Sequence, residues 1–150
     1  MTGTTSQTTD GRPSQDAVVH HLEVSHVDGD AYAVDIRGHQ LRVDQPTDAG
    51  GTDTAPAPTE LFAASLAACV AFYAGRYLHR HRLPRVGLRV HAEFTMASDP
   101  PARLDAVRVT IVPPPELPEH RREGLLAVAS ACTVHNTLRL PTEIDIAMES

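Results

Sequence analysis

From Val18 onward the chain alternates. Leu22 and Val24, then Tyr32, Val34 and Ile36, then Leu41 and Val43 each stand one polar or small residue apart, the two-residue period of strands with one buried face. The interruptions Asp28-Gly29-Asp30 and Arg37-Gly38-His39 carry hairpin chemistry, so three short antiparallel strands are predicted. Asp44 to Pro58, with three prolines, two adjacent glycines and several Thr and Asp, reads as an irregular loop. A long helix is predicted from Thr59 to Arg82: Pro58 suits its start, Glu60 its first turn, and Arg80 and Arg82 its last. From Leu61 to Gly75 it is apolar nearly all round and rich in Ala, so it should be central and tightly packed. Leu88, Val90, Ala92, Phe94 and Met96 then alternate with polar residues, as do Leu104, Ala106 and, partly, Val107, Val109 and Ile111. These predict two strands about an Asp99-Pro100-Pro101 turn, the second ended by Pro113 to Pro115. A helix over Pro118 to Ala131, with Leu125, Leu126, Val128 and Ala129 inward, a short helix over Thr133 to Leu138, and a closing strand at Glu143-Ile144-Asp145-Ile146 complete the order βββαββααβ. That order is α+β, hairpins with segregated helices rather than βαβ units.

Composition narrows the class. With 150 residues and 41% hydrophobic content, one core closes without disulfides or metals. Residues 1–16, rich in Thr, Ser and Gly, offer little to bury and are expected to form a disordered tail; 17–150 are expected to be a single domain. A net charge of -6, with all 13 basic side chains Arg, argues against a nucleic-acid surface. The N-terminus lacks the order of a secretory signal, and the apolar run from Leu61 to Gly75 is shorter than a bilayer span. A cytoplasmic protein with no membrane partner is expected.

Cys69 and Cys132 are the two cysteines. Their spacing does not fit a CxxC zinc site, and two are too few for a secreted disulfide framework. They can form one reactive dithiol, or each can serve as a small buried hydrophobe. Tyr73 follows Cys69 by one helical turn, and His135 follows Cys132 by three residues, where an imidazolium on the same face would favour a thiolate. Tyr73 also reads as core. His20-His21 and the His79/His81 pair lack a matching third ligand, so no metal site is expected. Gly50-Gly51 lack the Lys-Ser/Thr ending of a phosphate loop.

The Gly50-Gly51 loop leading into APAPTELFAASLAACV, the ACTVHNTL segment around Cys132, and the element order between them resemble the OsmC/Ohr superfamily over about Val18 to Ile146. The double glycine, the PTEL helix start and the LAAC spacing are most similar to its general OsmC-like branch. The resemblance implies an OsmC-like fold in an intertwined homodimer, with the small-residue helix against its partner and two active sites at the interface. It further implies peroxide reduction: a Cys69 thiolate attacks the O–O bond, and the resulting sulfenate condenses with Cys132 to a Cys69–Cys132 disulfide. A dithiol reductant, dihydrolipoyl groups in the hydroperoxide-resistance branch, would reset the pair. No metal, haem or flavin cofactor is implied.

The sequence departs from the peroxidase branch at two positions. The first-hairpin Arg that serves the thiolate there falls near Val27 or Asp28, and the next candidates are Arg37 and Arg42, which otherwise read as solvated hairpin charges. The helix-start Glu of that branch falls on Thr59. Glu60, nine residues before Cys69 as in OsmC-like relatives, lies roughly 13.5 Å along the helix axis and on the opposite face, so it would serve the partner subunit's site or simply complement the helix dipole. Two other functions fit the same residues: a ligand-binding or redox-sensing dimer without efficient turnover, and a Cys-His hydrolase with Cys69 as nucleophile.

Overall fold

The computed structural model describes residues 17–150, so the expected tail at 1–16 lies outside the described residues. Three strands come first: β1 (Glu23–Asp28), β2 (Ala31–Ile36) and β3 (His39–Val43) form an antiparallel sheet in the order β1-β2-β3. The β2–β3 turn has positive φ at both Arg37 and Gly38, the geometry that matches strand twist in a two-residue hairpin, and the Asp35 carboxylate accepts the Gly38 N–H at 3.2 Å. Val24, Val34 and Leu41 align in one cross-strand row. The alternation correctly marks strands, but this chain covers its apolar positions only in part: Val43 is buried and Val34 and Ile36 half-buried, while Leu22, Val24, Tyr32 and Leu41 are exposed.

The loop after β3 is knotted around Asp44, the one buried charged residue of the described chain. Its carboxylate accepts the backbone N–H groups of Gln45 (2.7 Å) and Thr54 (3.0 Å) and the hydroxyls of Thr52 (3.0 Å) and Thr54 (2.7 Å). Donors aimed at both oxygens favour the ionised form, and the bonds from Thr54, then Gln45 and Thr52, hold the carboxyl well below its ordinary value of 3.8. A depressed folded-state value stabilises the fold fully above the ordinary carboxyl range, and that contribution shrinks as pH falls below it. Melting temperatures recorded from pH 7 to pH 3 should therefore fall more steeply for the native protein than for Asp44→Asn, with the difference between them narrowing below about pH 4. Parallel curves would remove Asp44 as the acid-sensitive tie.

Helix α1 (Pro58–Arg80) has 23 residues and ends within two residues of the predicted stop. It is long and apolar enough to cross a membrane, which the shorter run read from the sequence did not suggest. Here it is the core helix instead: Leu66, Val70, Ala74, Tyr77 and Leu78 fall at helical spacing on one face. They pack with Leu117, Leu125, Ala129 and Cys132, and with Val90, Val107, Val109 and Ile111 at the margin. The latter come from β4 (Arg89–Met96) and β5 (Leu104–Val112), a two-stranded antiparallel sheet. Its register pairs Val90 with Ile111, Phe94 with Val107 and Met96 with Leu104, slipping by one residue at Thr95/Met96. That bulge absorbs the odd spacing from Leu104 to Val107 and keeps both on one face.

A turn of 3-10 helix (Glu119–Arg121) leads into α2 (Arg122–Ser130), and α3 (Thr133–Arg139) follows. Gly124 on α2 lets the Tyr77 ring approach closely, since an added Cβ would lie 3.1 Å from the Tyr77 Cζ. The predicted strand at Glu143 to Ile146 does not form: residues 141–150 have no regular secondary structure, and Ile144 and Ile146 are 78% and 91% exposed. Alternation alone does not make a strand, because its backbone groups need a neighbouring strand as partner, and among the described residues 141–150 pair with none. The observed order is βββαββαα.

Candidate active site

Two segments bring the sulfurs together. Cys69 sits in the middle of α1, half-buried and reduced, beside Leu66 and Val70 of the core face. Cys132 occupies the position just before α3, with extended backbone (φ -68°, ψ 153°), and is fully buried. Cys69 packs against the buried cluster that contains Cys132. Cys69 is near enough to Cys132 to act on its thiol. The sequence-predicted pair is thus brought to one place.

The two sulfurs are not equivalent. Burial pushes the Cys132 thiol up from its ordinary value, and the adjacent Cys69 pushes it further, while the N–H groups of His135 and Val134 pull the other way. The net direction is upward because desolvation of a thiolate outweighs two backbone donors at a helix start. Cys132 is therefore a protonated, sheltered thiol, whereas Cys69 is partly open to solvent.

His135 meets Cys132 differently from the sequence expectation. Its backbone N–H donates to Cys132 Sγ at 3.4 Å, while its ring Nδ1 pairs with the Ser130 carbonyl. Cys132 precedes the helix as its cap rather than lying within it, so the residue three further on presents its amide to the cap side chain, as in other N-caps. Tyr73 is half-buried, and its hydroxyl shares a 2.8 Å hydrogen bond with Thr133 Oγ1. Thr133 was missed in the sequence. The signal for it is a tyrosine on a core helix, whose hydroxyl calls for a polar partner when the ring is packed.

The remaining candidates lie elsewhere in the chain. Glu60 is exposed, and its carboxylate accepts the Ala57 N–H at 2.9 Å, the backward half of a capping box. Arg37 stands in the β2–β3 turn and Arg42 pairs with Ala33 on β3, both exposed. Among the described residues, neither arginine ion-pairs with Glu60 or hydrogen-bonds to either cysteine. Among the same residues, no group of three or more His, Cys, Asp or Glu is placed to hold a metal ion.

A groove of about 220 Å³ is lined by Leu66 and Val70 of α1, Val107 and Val109 of β5, Leu126 of α2 and His135 of α3 among others, with neither cysteine in its wall. Its wall is aliphatic, with Ser130 and His135 as polar points. Such a surface accepts an apolar tail and offers few polar contacts for orientation.

No curated protein matches the chain. Solved structures do. The chain resembles a candidate osmotic stress induced and detoxification response protein from Psychrobacter arcticus 273-4, at 22% identity and TM-score 0.74, over 83% of this chain and 91% of that one. It also resembles an organic hydroperoxide resistance protein OsmC from Legionella pneumophila (21% identity, TM-score 0.60, 83% and 92% covered). A third is the organic hydroperoxide resistance protein OhrB of Bacillus subtilis (16% identity, TM-score 0.59, 81% and 91% covered). At these identities the likeness establishes the shared fold. The family model described as OsmC-like protein matches residues 51–147, a span that holds Gly51, α1 with Cys69, and the Cys132 cap, and the chain belongs to the OsmC-like protein family.

Proposed function

We propose that the protein is a thiol-dependent peroxidase that reduces organic hydroperoxides or hydrogen peroxide. The observation that carries this reading is the placing of a half-open Cys69 against a buried Cys132. Hydroperoxide resistance among proteins of similar fold supports it. In the first step the Cys69 thiolate attacks the terminal oxygen of ROOH; the O–O bond breaks, Cys69 becomes a sulfenic acid, and RO⁻ takes up a proton to leave as ROH. In the second, Cys132 attacks the oxidised sulfur, the S–S bond forms, and hydroxide leaves with the Cys132 proton as water. An external dithiol, a dihydrolipoyl group in our reading, then exchanges with the disulfide and is itself oxidised.

The working unit is proposed to be a cytoplasmic homodimer. The exposed Val24, Tyr32 and Leu41 of the first sheet and the exposed Phe62 and Phe72 on α1 supply apolar surface for a second copy. Glu60 and a hairpin arginine would then act on the partner's cysteine. The exposed positions of Arg37 and Arg42 favour one alternative, a redox-sensing or ligand-binding dimer in which Cys69 oxidises slowly.

Peroxide chemistry and sensing separate in one experiment. Reduced protein mixed with one equivalent of tert-butyl hydroperoxide should lose both free thiols within seconds and yield a Cys69–Cys132 peptide on mass mapping. Cys132→Ser should stop at a Cys69 sulfenate that dimedone traps. Turnover with dihydrolipoamide at rates no higher than free thiol would leave the sensor reading; oxidation that spares Cys69 would end both.

A further inference from the structure

Helix α3 is weakly anchored. It has seven residues and none of them is fully buried, so its own hydrogen bonds do not hold it in place. His135 Nδ1 and Asn136 Nδ2 tie its start to the carbonyls of Ser130 and Ala131 at the end of α2, and its ties toward α1 and the core are the buried Cys132 before it, the half-buried Val134, and the hydroxyl pair Tyr73 Oη and Thr133 Oγ1 at 2.8 Å. The last contact runs beside the sulfur pair. Tyr73 is one turn beyond Cys69 on α1, and Thr133 is the residue after Cys132. Disulfide formation requires the two Cβ atoms to settle at about 3.8 Å with an S–S bond near 2.05 Å, a narrower range than two packed thiols occupy. The His135 N–H that now caps Cys132 Sγ at 3.4 Å must follow that movement, so whatever fixes the start of α3 sets how often the sulfurs reach bonding geometry.

We propose that Tyr73 and Thr133 are positioning residues for the second thiol, a latch between α1 and α3 that raises the effective concentration of Cys132 at Cys69. This rests on the dithiol reading above, but it concerns disulfide closure and not the attack on peroxide. Thr133 is free to donate or accept, since it is the Thr133 backbone carbonyl, not the hydroxyl, that takes the Thr137 Oγ1 hydrogen bond at 2.9 Å.

Two measurements on Tyr73→Phe and Thr133→Val test the latch. The first is the lifetime of the Cys69 sulfenate after one equivalent of tert-butyl hydroperoxide, which should lengthen about three- to ten-fold, the range for one net hydrogen bond. The second is the dithiol–disulfide equilibrium against a lipoamide/dihydrolipoamide buffer, in which lipoamide gains the two electrons and two protons that the cysteines lose. The potential should rise by roughly 15–30 mV, the same fold-change at about 30 mV per decade. Thr133→Ser should restore both values, and the double variant should show no further change than either single one. A merely structural role would lower the melting temperature and leave the potential still. The buffer titration needs no peroxide, so a native protein that titrates normally yet ignores hydroperoxide would defeat the peroxidase reading and leave the latch standing. Unchanged potential and sulfenate lifetime in folded Tyr73→Phe, or additive effects in the double variant, would overturn the latch.

Discussion

Cys69→Ser should bring hydroperoxide consumption down to the level of buffer. The proposed reaction begins with a sulfur lone pair entering the O–O antibonding orbital, and a serine hydroxyl, protonated and hard, does not substitute for it at neutral pH. Cys132 should not take over, because it is fully buried and that burial, the largest cause of its raised thiol, persists without Cys69, which leaves little thiolate to react. The two serine variants therefore differ in kind. Cys132→Ser still removes one equivalent of peroxide per site, whereas Cys69→Ser removes none. Consumption of tert-butyl hydroperoxide without reductant gives the equivalents removed by the native protein and both variants, and the same assay with dihydrolipoamide gives their turnover. Steady turnover by Cys69→Ser would show that the chemistry lies elsewhere in the molecule.

Gly51→Ala destabilises the protein by about 3 kcal/mol or more, the upper range for forced overpacking. A Cβ at Gly51 would overlap the Gln45 carbonyl oxygen and lie 2.6 Å from its carbon and 2.8 Å from Asp44 Oδ1. These are backbone atoms and the most tightly tied carboxylate in the chain, so no flexible side-chain tip can move aside. The loop would have to open, at the expense of the Gly51 N–H to Pro46 carbonyl bond (3.1 Å), the Asp53 N–H to Gln45 carbonyl bond (3.0 Å) and the Asp44 cluster. Gly50 provides the comparison. Its φ of 94° asks for glycine, but a Cβ there has Asp30 Oδ2 at 3.8 Å as its nearest neighbour, so Gly50→Ala should cost only about 1 kcal/mol. Urea midpoints for the two variants give the test; equal losses would mean that backbone conformation, and not crowding, makes this loop need glycine.

The local elements were legible because they depend on near neighbours. Period-two runs found β1 to β5, and the continuous apolar run with Pro58 before it found α1. Two features of the fold were not legible, for one reason. The closing strand at Glu143 to Ile146 and the buried face of β1 to β3 both need a surface that lies far along the chain or outside it. Alternation records the demand for such a surface and says nothing of where it is. The site divided in the same way. Cysteine counting picked out both sulfurs, and the resemblance to OsmC/Ohr proteins implied their pairing. The Tyr73–Thr133 contact spans 60 positions, beyond any local rule. His135 was placed by helical spacing, but Cys132 lies one residue outside α3, and that offset exchanges a ring for a backbone amide at the sulfur. Gly50-Gly51 lacked the ending of a phosphate loop, and what the pair is for was not legible; the structure uses the second glycine to let two stretches of backbone touch.

Helix α1 is greasy on more sides than its own chain can cover. One face forms the core, while Phe62 and Phe72 point outward beside exposed Ala64, Ser65 and Ala68. In the proposed dimer, solubility would be a property of the assembled particle and not of the newly made polypeptide. The interval between release from the ribosome and meeting another copy would then be the hazardous one, so yield should depend on expression rate and growth temperature as much as on the intrinsic strength of the core.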